Sequence, residues 1–84
     1  MTEQEILKEF EIFGYNIITT DNLVEMKINI SDQYVIKLTI DKKKREFTKV
    51  LIRLKDDDIL GMYISAREHL LLHKLFKLWG WFDE

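Results

Sequence analysis

The chain has no cysteine, only three glycines, and no apolar run near the ~20 residues that a membrane-spanning helix requires. Without cysteine there are no disulfides and no thiolate-held metals, which leaves a reducing compartment open. The glycines, Gly14, Gly61 and Gly80, stand far apart, so no glycine-rich loop exists to cradle a phosphate. The two serines, Ser31 and Ser65, fall at an expected turn and an expected helix start, and neither reads as an activated nucleophile. The opening Met-Thr-Glu-Gln-Glu is acidic and unlike a secretory leader, and a cytoplasmic location is expected.

What remains is a chain of ordinary globular composition, 46% apolar and 33% charged, which argues against disorder. Its 84 residues are expected to form a single α+β domain over residues 1–84, too short to close two separate cores. The net charge of −2 averages three different segments. Residues 1–36 carry a net −5, residues 37–55 a net +6, and residues 56–84 a net −3. The middle of the chain is therefore basic.

Two helices are written with the same local devices. Thr2 and Glu5 form a capping box, in which the hydroxyl accepts from the amide three residues on and the glutamate reaches back. Ser65 and Glu68 repeat it. Gly14 and Gly80 supply left-handed stops, and Tyr15 and Trp81 are placed to fold back onto Phe10 and Phe76. The second helix is predicted over about Ala66 to Trp79, burying Leu71, Leu72, Leu75, Phe76, Leu78 and Trp79, with Leu70 left among Arg67 and Lys74 on the solvent side.

Between them the pattern alternates at period two. Val24, Met26, Ile28 and Ile30 form one row, and Tyr34, Ile36, Leu38 and Ile40 continue it after the Asp32-Gln33 turn. Asp41 to Arg45 reads as a loop tip, and Thr48, Val50, Ile52 and Leu54 are taken as the third inner row. Shorter strands are expected over residues 15–20 and, after the Asp56-Asp57-Asp58 turn, over residues 59–64. The expected fold is an N-terminal helix, an antiparallel meander of four to five strands and a C-terminal helix, with both helices on one face of the sheet.

That assignment puts Lys27, Lys37, Lys49, Arg53 and Lys55 together on the outer face, interspersed with Val35, Phe47 and Leu51 and diluted by Glu25 and Asp41. With the compact cationic tip Lys42-Lys43-Lys44-Arg45, this face is the candidate nucleic-acid surface, since cations mixed with an aromatic track phosphates and stack bases. A helix–strands–helix order is shared with the double-stranded-RNA-binding domain. Here, however, the second helix starts Ala66-Arg67-Glu68-His69 where that domain is lysine-rich, and the order alone assigns no family.

His69 and His73 lie one helical turn apart, a spacing known from zinc sites, but with no cysteine and with Lys77 a turn further on, no metal site is expected. No catalytic or cofactor-binding residue is expected either, and the chain is read as not an enzyme. Leu70, Trp81 and Phe82 are the candidate protein-binding residues, as aromatics and an exposed leucine suited to a partner surface. The leading expectation is a small adaptor or inhibitor acting by protein–protein interaction, of the compact, motif-poor kind that phages and mobile elements encode. The alternative is nucleic-acid binding through the outer sheet face and the tip. A protein is the first partner expected, nucleic acid or a second copy the next, and a membrane is not expected.

Overall fold

A computed structural model describes residues 1–82. The chain runs α1 (Glu3–Ile12), β1 (Asn16–Thr19), β2 (Leu23–Asn29), β3 (Tyr34–Asp41), β4 (Glu46–Arg53), β5 (Asp58–Gly61) and α2 (Ala66–Leu78). It is an α+β fold with helices at either end of a five-stranded antiparallel meander, in the order β1-β2-β3-β4-β5. Contacts divide it into two compact units: the two helices, from Met1–Gly14 and from Ile64 onward, and the sheet, Tyr15–Tyr63.

Both capping boxes form. The Thr2 hydroxyl accepts from the Glu5 amide at 3.2 Å while the Glu5 carboxylate accepts from the Thr2 amide at 3.0 Å, and these bonds hold the Glu5 pKa below the usual glutamate value. At α2 the Ser65 hydroxyl accepts from the Glu68 amide at 3.2 Å and donates to the Glu68 carboxylate at 2.7 Å. That second box is partly buried, and among the described residues Glu68 is the one buried charged side chain.

α2 stops by a complete Schellman arrangement. Gly80 adopts φ +77, its amide bonds the Lys77 carbonyl, the Trp81 amide bonds the Phe76 carbonyl, and the Trp81 ring stacks on Phe76 at 4.2 Å. At the end of α1, Gly14 takes φ +101 and its amide reaches the Glu11 carbonyl. The helices pack antiparallel: the Trp79 indole donates to Glu3 at 2.9 Å at one end, and Arg67 meets Glu9 at 3.6 Å at the other. Ile6, Phe10, Leu71, Leu72, Leu75 and Phe76 are the buried apolar residues of this unit. Leu78, expected inside, is exposed.

In the sheet, directly opposed residues share a face. One face carries Val24 opposite Ile40, Met26 opposite Leu38 and Ile28 opposite Ile36, as the alternation predicts. Val24, Met26, Leu38 and Ile40 are completely buried.

β4 departs from the expectation. Ile40 pairs with Phe47, Leu38 with Lys49, Ile36 with Leu51 and Tyr34 with Arg53. The residues that continue the buried face are therefore Phe47, Lys49, Leu51 and Arg53, whereas Thr48, Val50 and Ile52 point to the opposite side. The β3–β4 loop holds four residues, 42–45, between the paired Asp41 and Glu46, one fewer than expected. A one-residue change in register moves every side chain of a strand to the other face. The short loop is held by Asp41, whose carboxylate accepts from the Lys43 and Lys44 amides at 3.0 Å each, and by Arg45 in the left-handed region at φ +56. β5 also ends earlier than expected, at Gly61.

Candidate functional site

The shift in β4 dissolves the single basic face. Lys27 and Lys37 oppose one another on one side of the sheet, with Glu25 paired to Lys37 at 3.7 Å. Lys49 and Arg53 lie on the other side. Lys55 belongs to neither, because β4 ends at Arg53 and Lys55 sits in the following turn. Val35 stays with Lys27 and Lys37, while Phe47 and Leu51 move with Lys49. No one face carries all these cations.

Arg53 is engaged within its own hairpin. Its guanidinium makes two bonds to Asp56, at 3.0 and 2.8 Å, and reaches Asp58 at 3.4 Å. The pairing lowers the Asp56 pKa and raises that of Arg53. The run Asp56-Asp57-Asp58 thus closes the β4–β5 turn around a cation from the chain itself. Of the cations predicted for this surface, those of the Lys42 to Arg45 tip stay together, with Lys43, Lys44 and Arg45 exposed.

The helical pair presents different chemistry. Along α2 the exposed side carries Arg67, His69, Leu70, His73, Lys74 and Lys77, and the helix's only carboxylate, Glu68, is turned inward to its cap. Leu70 is 53% exposed in the middle of this basic stripe. Beside it runs an open groove of ≈ 570 Å³ lined by Met1, Glu9, Ala66, Arg67, Leu70, Leu71 and Lys74. A second groove, lined by Met1, Ile6, Lys74, Lys77 and Leu78, adjoins it at Met1 and Lys74. Leu78, exposed rather than buried, lines that groove.

Phe82, which the sequence leaves without an intramolecular task, stacks on His73 at 4.9 Å and keeps half of its surface exposed. It therefore lies on the same exposed side of α2 as Leu70, one turn away. Trp81 lies elsewhere. It is half-buried against Phe76 and Trp79, at 4.2 and 5.4 Å, on the inward side of the helix. Of the three candidate protein-binding residues, the structure brings Leu70 and Phe82 onto one face and uses Trp81 to close the helix end.

His69 and His73 are both exposed, and among the described residues no group of three or more histidines and carboxylates is placed to hold a metal ion. Among the described residues no helix is long and apolar enough to cross a membrane. The Arg53 cluster and the groove at Met1 were missed in the sequence reading. The first has a local signal, an arginine three residues before an aspartate across a turn. The second has none, since it depends on how α1 and α2 pair. No protein-family model, curated protein or solved structure matches the chain.

Proposed function

We propose that this chain is a small, non-enzymatic protein-binding module, an adaptor or inhibitor that acts by docking a partner on the exposed side of α2. The observation that carries the reading is Leu70, a half-exposed apolar side chain beside an open groove and bordered by Arg67, Lys74 and Lys77. An apolar anchor that loses its water supplies most of an interface's energy, while charges around it set orientation and association rate. The fitting partner is a protein segment with an apolar side chain for the groove and carboxylates to meet Lys74 and Lys77, Arg67 already meeting Glu9 across the groove. Phe82 on His73 extends the apolar contact by one turn.

The test is capture of a partner from lysate, with and without nuclease treatment, by three forms of the chain: the parent, Leu70→Ser with Phe82→Ser, and Lys43→Glu with Lys44→Glu. Both pairs change exposed side chains, so native melting is expected in each. Retention is expected to fall at least tenfold in the apolar pair and to stay near the parental level in the charge-reversed pair. Nucleic-acid binding through the Lys42 to Arg45 tip would instead appear as loss in the charge-reversed pair and sensitivity to nuclease.

A further inference from the structure

β5 closes one side of the sheet, and among the described residues no strand pairs with its outer edge. Sheet edges are ordinarily guarded by charge, proline or a bulge. Here β5 carries a single charge, Asp58 at its start, and residues 59–63, Ile-Leu-Gly-Met-Tyr, carry no charge and no proline. Ile59 is 60% and Leu60 56% exposed, so no described segment of the chain covers them.

Two backbone bonds give the orientation of this edge. The Met62 amide donates to the Lys49 carbonyl at 3.0 Å, and the Leu54 amide donates to the Gln33 carbonyl at 2.8 Å. Bonding alternates along an antiparallel ladder. Lys49, Leu51 and Arg53 thus turn their backbone groups toward β5, and Leu60 returns them. Ile59 and Gly61 turn theirs outward.

We propose that β5 pairs antiparallel with β5 of a second copy, about a twofold axis passing through Leu60, with Ile59 exchanging backbone hydrogen bonds with the partner's Gly61. The strand is complementary to itself in this register, which selects a second copy over an unrelated peptide. On one face Leu60 meets its own symmetry mate, and the row Ile28–Ile36–Leu51–Leu60 runs on across the axis into the same row reversed. On the other face, Ile52 and Ile59 meet Gly61 and Val50 of the partner. A Cβ added to Gly61 would have no neighbour within 4 Å, so the glycine leaves a space that the partner's Ile59 fills. Asp58 falls opposite the partner's Met62, so no carboxylate faces another. The Ile59 amide, now bonded to the Asp58 carboxylate at 3.1 Å, transfers to the partner's Gly61 carbonyl, and Asp58 keeps Arg53.

A four-residue edge makes a small interface, so the dimer is concentration-dependent, with a dissociation constant roughly in the micromolar range or weaker. Sedimentation from about 1 μM to about 1 mM is expected to show the mass rising from 10.2 kDa toward twice that value. Leu60→Asp sets two carboxylates face to face across the axis and is expected to remain a monomer throughout, melting like the parent because position 60 is exposed. Leu60→Cys, in a chain with no other cysteine, is expected to form a disulfide dimer under diamide, since opposed Cα atoms at such a site lie about 4.5 Å apart. Ile18→Cys, on the exposed strand at the opposite edge, serves as the control for random collision. A parent that stays monomeric at about 1 mM, with Leu60→Cys linking no faster than Ile18→Cys, would overturn the proposal. A dimer that survives Leu60→Asp unchanged would overturn it equally, by placing the interface elsewhere.

Discussion

Among the described residues, Arg45 and Asp57 are the two non-glycine residues that hold positive φ, at +56 and +55, and they close the β3–β4 and β4–β5 hairpins respectively. A left-handed backbone costs an ordinary L-residue about 1–2 kcal/mol, which glycine does not incur. Arg45 has no short polar side chain to offset this through a local hydrogen bond, whereas Asp57 is of the type that tolerates the region. Arg45→Gly is therefore expected to stabilise the chain by about 0.5–1 kcal/mol, raising the melting midpoint by about 4 °C. An unchanged or lower midpoint would mean that the arginine side chain makes a contact worth more than the backbone strain. Arg53 illustrates the same local determination: it reads as a surface cation in the sequence, yet Asp56 and Asp58 absorb it into a turn.

At the scale of elements, what the sequence reveals depends on whether the signal is local. Both helix starts and the glycine stops were legible, because a capping box and a Schellman stop involve residues within five positions of one another. β2 and β3 were legible because only one of their two rows is consistently apolar. β4 was not. Phe47 and Leu51 lie on one side and Val50 and Ile52 on the other, so alternation does not choose a face. The choice was made by the length of the loop held by Asp41, and that loop decided whether Lys49 and Arg53 joined Lys27 and Lys37. The two capping boxes differ in burial, and their energies are expected to differ with it. Ser65→Ala leaves the buried Glu68 carboxylate without its 2.7 Å hydroxyl donor and is expected to cost about 2 kcal/mol, against about 1 kcal/mol or less for Thr2→Ala at the exposed box. Equal losses in chemical denaturation would contradict the difference in burial.

Across the whole molecule, the exposed chemistry is divided among the α2 side with Leu70, the β5 edge and the Lys42 to Arg45 tip. A net charge of −2 makes nonspecific phosphate binding unfavourable for the chain as a whole, and only the tip offers several exposed cations in succession. Leu70 as an exposed residue was legible from the helical wheel, whereas Phe82 on His73 was not, because it depends on where the chain turns after Gly80. The central claim is that binding rests on an apolar anchor with a basic border, and salt separates this from phosphate recognition most directly. The affinity of the captured complex should be measured as salt rises from about 50 to about 200 mM, a range over which about four phosphate contacts, as many as the Lys42 to Arg45 tip has cations, lose about 10² in affinity. Docking through Leu70 is expected to weaken by about tenfold or less, since three bordering cations steer association more than they hold the complex. A loss of about a hundredfold or more, made shallower by Lys43→Glu with Lys44→Glu and unaffected by Leu70→Ser, would contradict it.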